Sequence, residues 1–378
     1  MNLRIPLARP DITDADREAV WEALRTPYLS MGAKLQEFEQ AMCRYLGASF
    51  AVAVNSGTSA LHVALRVLDI PPGSEVILPS FAFIAPLNVL LQERLTPVFV
   101  DIDPATLNTT PQAVEAAITP RTKAILAIHT FGRPVAAHEL RKIADKHGLF
   151  LIEDVCEALG AEIGGKKAGT HGDVGVLAFY PNKQITTGEG GMLLTNQRAL
   201  AERASRLRNQ ARNPSLGWYQ HAEVGFSYRL SEMNCALGLS QLSRLEAFLQ
   251  RRQVLAALYD RSLASVDGVV RPSLSVPEGK ISWFSYVIRL DAEFADAGRD
   301  YVSDRLAHQG IVTGKYFAPL HRQPLMREFV SPPHLPHTDY AAARVLALPF
   351  FTQLMETGVE EVCGALKAAL SELRARKT

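Results

Sequence analysis

The segment that decides the fold and the chemistry is Val174–Asn196, with the sequence VGVLAFYPNKQITTGEGGMLLTN. Two apolar runs in it, Val174–Tyr180 and Met192–Thr195, predict buried strands. Between them a single lysine, Lys183, is followed by a glycine-rich turn. An amine that is desolvated between two strands can attack a carbonyl carbon. A lysine on a solvent-facing hairpin loop gives the same local pattern, so the rest of the chain must decide between the two.

The composition is typical of a soluble globular protein that is long enough for two domains. The chain has 378 residues, 47% of them hydrophobic and 21% charged, with a net charge of +1. This charge gives no broad basic face, so no nucleic-acid partner is expected. No apolar run reaches the length of a membrane span, and the polar N-terminal segment is unlike a signal peptide. The four cysteines form no CxxC pair, which argues against a metal site and predicts a cytoplasmic protein.

Strands and helices alternate through the first half of the chain. Strands are predicted at 50–54, 75–78, 97–101, 123–129 and 149–153, with helical patterns between them. The alternation predicts an α/β fold with a mostly parallel mixed sheet and helices on both faces. In the last third, a long helix is predicted over Glu232–Leu263, followed by short strands and proline-rich loops. We therefore expect a large domain over residues 1–244 and a smaller C-terminal α+β domain over residues 245–378.

A turn at the end of the first predicted strand has the composition of a phosphate cradle. The small residues Gly57, Thr58 and Ser59 open a helix there. Free backbone N–H groups and the helix dipole favour an anion at such a position, and the two hydroxyls can add donors. A plain helix cap has the same residues, so the motif alone does not establish a phosphate site.

Asp154 comes at the carboxyl end of the predicted strand 149–153, where ligands of parallel sheets bind. A carboxylate there needs a cationic partner, such as a ligand nitrogen, or it caps the next helix. Glu157 lies one turn later and can face the same ligand. Phe83 follows another strand and can stack on a ring, although core packing is an alternative.

Together these residues suit one cofactor, pyridoxal 5'-phosphate (PLP). Lys183 would form the Schiff base with the cofactor, and Asp154 would keep its pyridine nitrogen protonated. The turn at Gly57 would hold the phosphate, and Phe83 would cover the ring.

The ordered set of motifs resembles the DegT/DnrJ/EryC1/StrS aminotransferases, which have the aspartate-aminotransferase fold, PLP fold type I. The resemblance covers nearly the whole chain, and its main motifs are NSGTSALHVAL (55–65), IEDVCEALGA (152–161), FYPNKQITTGEGGMLLTN (179–196) and YFAPLHRQP (316–324). It implies transamination, because members that dehydrate sugars have a histidine in place of Lys183. The TTGEGG run resembles perosamine-synthase-like members, which aminate C4 of nucleotide-linked 4-keto-6-deoxy sugars. The amino group would come from glutamate or glutamine and pass through pyridoxamine phosphate.

The resemblance also implies roles for residues outside the lysine segment. It places Glu157 near the phenolic oxygen of the cofactor, and Ser30, Tyr316, Phe317 and His321 at the sugar site, although a surface loop is an alternative for His321. It implies a homodimer in which the loop Gly225–Arg229, with Ser227, reaches the cofactor of the neighbouring subunit.

Two positions depart from the family pattern. Many members have a serine at Ala178 that supports the phosphate, and an asparagine at Ser227. Each change removes a polar contact, and such a contact contributes about 0.5–1.5 kcal/mol.

Two other functions stay open from the sequence. One is amination of a keto-cyclitol in aminoglycoside biosynthesis, and the other is a non-catalytic regulatory relative that keeps the fold. A nicotinamide dehydrogenase is disfavoured, because no GxGxxG follows the first strand.

Overall fold

The computed structural model describes residues 4–213, 215, 217, 220–294, 297–328 and 333–376. Its strands are β1 (Phe50–Val54), β2 (Glu75–Pro79), β3 (Thr96–Val100), β4 (Thr122–Ile128), β5 (Phe150–Asp154), β6 (Glu162–Ile163), β7 (Lys166–Lys167), β8 (Val174–Ala178), β9 (Gly191–Thr195), β10 (Val269–Val270), β11 (Gly279–Lys280), β12 (Tyr286–Leu290) and β13 (Val345–Leu348).

The α-helices are α1 (Asp14–Leu24), α2 (Ala33–Leu46), α3 (Gly57–Val67), α4 (Ala85–Gln92), α5 (Pro111–Ala116), α6 (Ala137–His147), α7 (Arg198–Arg208), α8 (Glu232–Ser243), α9 (Leu245–Ser262), α10 (Gly298–His308), α11 (Pro336–Arg344) and α12 (Glu356–Ala375). Each element predicted in the first half of the chain is present.

Seven strands form the central sheet in the order β1-β9-β8-β5-β4-β2-β3. Neighbouring strands from β3 to β8 run parallel, whereas β9 is antiparallel to both β8 and β1. Apart from Lys123 and Phe150 near their amino ends, the interior strands are almost entirely buried, as expected of strands covered on both faces. The predicted α/β fold with a mostly parallel mixed sheet is confirmed.

Gly191 brings the lysine segment and the turn before α3 together. It pairs with Ala178 of β8 on one side and with Val54 of β1 on the other. A Cβ atom at this position would lie 2.2 Å from the carbonyl oxygen of Ser56, closer than any side chain can approach. Only glycine therefore allows the turn that opens α3 to lie against the end of β9.

The single long helix predicted over Glu232–Leu263 is wrong, because the structure has two helices that meet at Arg244. The backbone of Arg244 leaves the helical region, and its guanidinium binds Asp11 and Asp16 at the start of α1. The break lets α8 pack against α1 and α2 while α9 packs against α12. Contacts with distant parts of the chain thus override a helical pattern that is continuous in sequence.

The C-terminal part has its own antiparallel sheet, β10-β12-β13, with α9, α10 and α12 packed around an apolar core. One segment of this part, around β11, also contacts the elements that surround the central sheet. Strand β11 pairs with β6, and Ser282 N donates to the carbonyl of Gly132. The residues after β11 therefore lie beside the carboxyl ends of β4 and β5.

Among the described residues, no helix is long and apolar enough to cross a membrane.

Candidate active site

A cavity of about 470 Å³ lies at the carboxyl ends of β4 and β5, where the loop between β8 and β9 meets the start of α3. Its position and volume suit a small-molecule ligand. The predicted site residues that line it are Gly57, Thr58, Phe83, Asp154, Glu157, Lys183, Tyr316 and Phe317. The predicted residues that lie outside its lining are Ser30, Ser59, Ser227 and His321.

Lys183 is directed into the protein rather than into water. Its side chain is 14% exposed, and its Nζ lies 4.0 Å from Oε1 of Glu157. The same Nζ lies 4.3 Å from the centre of the Phe284 ring, which gives a cation–π contact. Its backbone N donates to the carbonyl of Tyr180, which closes the turn that carries it. The solvent-facing alternative for this lysine is therefore wrong.

Glu157 joins this amine to the loop that follows β4. Its Oε2 accepts a hydrogen bond of 2.9 Å from the backbone N of Phe131. Burial raises the pKa of Glu157, and the nearby Lys183 ammonium opposes this shift only in part. This carboxyl group therefore takes up a proton at higher pH than an ordinary glutamate.

Asp154 is the last residue of β5 and is 7% exposed. Its Oδ1 accepts from the backbone N of Cys156 at 3.0 Å, and its carbonyl accepts from His129 N. The residues immediately after it form turns, so Asp154 does not cap a helix. Burial, and then the Asp154 carboxylate, raises the pKa of the neighbouring Cys156 thiol, which also lines the cavity.

The turn before α3 lies at one end of the cavity, where Ser56, Gly57 and Thr58 line it. Ser56 caps the helix by accepting from Ser59 N, and Ser59 Oγ donates to Asn55 Oδ1 at 2.7 Å. Ser59 thus binds within the turn, which leaves Gly57 and Thr58 at the cavity. A Cβ at Gly57 would lie 2.7 Å from Cβ of Ala178, so the two positions are in close contact.

Aromatic side chains form much of the wall. Phe83 is 60% exposed and lines the cavity, so the core-packing alternative is wrong for it, whereas Phe81 is fully buried. Phe317 stacks on Phe131 at 5.3 Å, next to Tyr316. These rings give the cavity an apolar lining.

Ser30 and Ser227 lie on strand-like segments away from the cavity lining. Ser30 forms an antiparallel bridge with Ser231. Ser227 bridges Asn209, and its Oγ accepts from Arg229 Nη2 at 2.8 Å. Their predicted roles in binding remain predictions.

His321 is buried rather than on a surface loop. Its Nδ1 lies 2.6 Å from Oγ of Ser80, and its Nε2 lies 3.2 Å from Oδ1 of Asp339. Burial lowers the pKa of His321, and Asp339 opposes the shift. The ring fixes the end of β2 to the segment that carries Tyr316, so its contacts are with the protein framework.

Sequence reasoning missed a buried pair behind Asp154. Glu153 and His129 are fully buried, with Nε2 of His129 3.2 Å from Oε2 of Glu153. Val135 N donates to Nδ1 of His129, so the ring proton is on Nε2 and is donated to Glu153. Since neighbouring residues of a strand face opposite sides, a Glu-Asp pair at a strand end was a usable signal.

Phe284 and Gln184 were also missed. Phe284 is about 100 residues from Lys183 in sequence and reaches it only through the return of the chain after β11. Gln184 Nε2 donates to the carbonyls of Glu157 and Ser282. Gln184 therefore holds the lysine turn, the Glu157 turn and the Phe284 segment together. No local pattern indicates either contact.

Comparisons with known proteins agree with this geometry. A model of the DegT/DnrJ/EryC1/StrS aminotransferase family matches residues 10–367. GDP-perosamine synthase of Caulobacter vibrioides is 38% identical over 376 residues, covering 97% of this chain and 98% of that protein.

Solved structures have the same fold along their whole length. The aminotransferase TlmJ of Streptoalloteichus hindustanus is 32% identical with a TM-score of 0.92, over 98% of this chain and 99% of that one. Spr1654 of Streptococcus pneumoniae in its PLP form is 25% identical with a TM-score of 0.92, over 98% and 99% of the chains. The resemblance noted in the sequence and the PLP cofactor are thereby confirmed.

The residues of the cavity fit PLP. At one end Gly57 and Thr58 open α3, and the free backbone N–H groups of a helix start favour a phosphate. A Cβ at Gly57 would collide with Ala178 and Cys156, so glycine lets this turn pack closely against them. Elsewhere in the lining lie the acidic Asp154, the exposed ring of Phe83 and the largely buried amine of Lys183. An anion cradle, an acid, an aromatic plate and a primary amine are what this cofactor requires.

Proposed function

This chain belongs to the DegT/DnrJ/EryC1/StrS aminotransferase family and is a PLP-dependent sugar aminotransferase, and we propose that it aminates C4 of a nucleotide-linked 4-keto-6-deoxyhexose. Glutamate or glutamine would supply the amino group. The observation that carries the proposal is the position of Lys183, whose buried amine shares one cavity with Asp154 and Glu157. The likeness to a GDP-perosamine synthase and the TTGEGG turn support the choice of sugar and carbon.

PLP, when bound, supplies an aldehyde for the amine and a ring that accepts electrons from the substrate carbon. Lys183 would hold the cofactor in the resting enzyme. Once displaced by an amino donor, its amine would move a proton between the substrate carbon and the cofactor. Positioned proton transfer of this kind contributes about 10²–10⁴-fold to rate.

Asp154 would face the ring nitrogen and hold a proton there. Its place at the end of β5, with Oδ1 fixed by Cys156 N, allows little movement of the carboxylate. A charge-assisted hydrogen bond to this group is worth about 1.5–3 kcal/mol. Glu157 would hold a proton beside Lys183, because burial raises the pKa of its carboxyl group.

The aromatic wall would exclude water from the reacting atoms. Phe284 covers Lys183 from one side, and Phe83, Tyr316 and Phe317 line other parts of the cavity. We place the sugar next to Tyr316 and Phe317, because both line the cavity and belong to the segment that the family resemblance assigns to the sugar site.

A second copy of the chain would complete the site. Large apolar side chains near α1 and the 220s loop are exposed, namely Trp21, Leu24, Tyr28, Leu29 and Val224. Exposed large apolar side chains are often found at an interface when they group into one patch. In a homodimer the loop Gly225–Arg229, with Ser227, would approach the neighbouring cofactor, and Ser30 lies close in the chain to the same exposed residues. The cytoplasmic location predicted from the cysteines remains a prediction.

The test is an assay of the purified protein with PLP, glutamate or glutamine, and a panel of keto-sugar nucleotides together with a keto-cyclitol. We expect a mass shift from ketone to amine with a 4-keto-6-deoxy sugar nucleotide. Lys183→Ala should abolish both turnover and the visible absorption of the bound cofactor. Lys146→Ala, which removes an exposed amine paired with Glu115, is the control and should keep both. Amination of the cyclitol alone, or of C3, would overturn the proposal.

A further inference from the structure

A second cavity, of about 280 Å³, is lined by residues that neighbour those of the first along the chain. It is bounded by the loop after β3, around Pro104–Leu107, and by strands of the C-terminal sheet. Three arginines line it: Arg133, Arg271 and Arg289. This volume is too small for a nucleotide sugar and suits a smaller ligand.

Arg133 is 9% exposed and makes its bonds with carbonyl groups. Its Nη1 donates to Ser275 O at 3.0 Å and its Nη2 to Ser273 O at 2.6 Å. The Asp103 carboxylate is near enough to stabilise the positive charge of Arg133. The Nη1 and Nη2 atoms of Arg133, however, donate to backbone carbonyls and not to Asp103. Oδ1 of Asp103 is itself bound by the backbone N of Ala105 and of Thr106.

Arg289 also lacks an ion pair with any carboxylate of the described residues. Its Nη1 donates to Pro104 O, and its guanidinium lies over the Tyr340 ring. Its Nε is buried and has no hydrogen-bond partner. Arg271 differs, because Asp260 Oδ1 pairs with it at 2.7 Å.

Arg133 is buried and Arg289 half-buried, whereas Arg271 is exposed. Removing a guanidinium from water without an ion pair to a carboxylate is electrostatically unfavourable. An oxyanion in the cavity would neutralise these guanidinium groups and accept from their fork of donors, for which phosphate geometry is well matched. We propose that this second cavity is a binding site for a phosphate group, either free phosphate or that of a small phosphorylated metabolite.

Two chain segments contribute side chains to both cavities. His129 and Phe284 line the first cavity, whereas Phe131 and Trp283 line the second. The backbone N of Phe131 also donates to Glu157. A ligand that contacts Phe131 therefore lies one residue from the carboxyl group beside Lys183.

The experiment is calorimetric titration of the PLP-loaded protein, in phosphate-free buffer at fixed ionic strength, with inorganic phosphate and with glucose 6-phosphate. Saturating the first cavity with PLP keeps its own phosphate cradle occupied. We expect binding of at least one of the two, and the arm with the higher affinity identifies the source of the phosphate. Arg289→Met should weaken binding about tenfold or more, whereas Arg289→Lys should retain part of it.

Arg344→Met is the matched control, because Arg344 also lies over Tyr340 but does not line the second cavity. Its binding should equal that of the unchanged protein. Thermal unfolding and circular dichroism establish that each variant is folded. If neither inorganic phosphate nor glucose 6-phosphate gives a heat of binding, the proposal is overturned. Binding that Arg289→Met leaves unchanged also overturns it, because the anion would then occupy a site other than the second cavity.

Discussion

Glu153 and Glu157 lie four residues apart at the end of β5, and their surroundings differ. Glu153 is fully buried and accepts from His129 and from three backbone N–H groups, those of Gly169, His171 and Gly172. Burial alone would raise the pKa of Glu153, but these bonds together lower it. Glu157 accepts from Phe131 N and lies beside Lys183, and burial raises its pKa.

The difference separates a carboxylate that stabilises the fold, Glu153, from a carboxyl group that can take part in proton transfer, Glu157. A carboxylate whose lone pairs are filled by fixed donors is held as an anion and contributes to stability. A desolvated carboxyl group with fewer donors, facing a cavity and an amine, can exchange a proton. The same residue type on one short segment thus has two roles, and substitutions should separate them.

The largest effect on stability is expected from Glu153→Gln. The amide would present N–H donors to backbone N–H groups that now donate to the carboxylate, which leaves buried donors unpaired. We expect the free energy of unfolding to fall by about 3 kcal/mol, while the kcat of the folded fraction stays within about threefold. Urea denaturation measures it. Glu115→Gln, at an exposed ion pair, is the control and should leave the free energy of unfolding nearly unchanged. If Glu153→Gln lowers the free energy of unfolding no more than this control does, Glu153 does not stabilise the fold as we expect.

Glu157→Gln should show the opposite pattern. The amide oxygen can still accept from Phe131 N, so we expect the free energy of unfolding to change by less than about 1 kcal/mol. Loss of the proton beside Lys183 should lower kcat by about 10–100-fold. Steady-state kinetics with a saturating amino donor measures it. Glu189→Gln is the control, because Glu189 lines the same cavity with an exposed side chain. If both variants lose activity equally, Glu157 has no special role.

The two acids should also affect the pH dependence of stability with opposite signs. Glu157 has a raised pKa in the folded state, so its stabilising effect is complete below the ordinary value of 4.5 and is lost as pH rises through the folded pKa. Glu153 has a lowered pKa, so its contribution is present above 4.5 and is lost as pH falls through the folded pKa. Unfolding free energies of both Gln variants, measured against pH and compared with the unchanged protein, should diverge in opposite directions. Parallel curves would contradict the comparison.

The smallest effect is expected at Ala178, next to the turn before α3. Its Cβ lies close to Gly57, where a hydroxyl could reach a bound phosphate. Ala178→Ser should tighten PLP binding by about 2–10-fold, the effect of one hydrogen bond. Absorbance titration of the cofactor-free protein measures the Kd. Ala178→Gly is the control and should not tighten binding. An unchanged Kd for the serine variant would mean that backbone donors already satisfy the phosphate.

Local patterns predicted the parts of the site that come from strand ends. Alternating strands and helices predicted the sheet, and the parallel-sheet rule predicted that Asp154 lies where ligands bind. Gly57 was identified from the pattern of a helix start and Lys183 from its position between two strands. Phe83 was identified as a possible ring partner, but its exposure could be seen only in the structure.

Contacts between distant segments could not be predicted. Gln184 and Phe284 reach the lysine turn across a large separation in sequence, and the break at Arg244 depends on Asp11 and Asp16 of a distant helix start. His321 had an indicative motif, but the partners that bury it, Ser80 and Asp339, lie on other elements. No periodicity in one segment encodes such contacts.

The absence of a side chain at Gly191 fixes the distance between the turn before α3 and the segment that carries Lys183. If the turn before α3 holds the phosphate of the cofactor and Lys183 holds its aldehyde, as we propose, the distance between the two must match the length of the cofactor. This distance is set by the close contact of the Ser56 carbonyl with Gly191, which pairs with Val54 and with Ala178 in the sheet. A methyl group added at Gly191 would push the turn before α3 away from β9. We expect such a protein to keep its fold but to bind the cofactor less tightly.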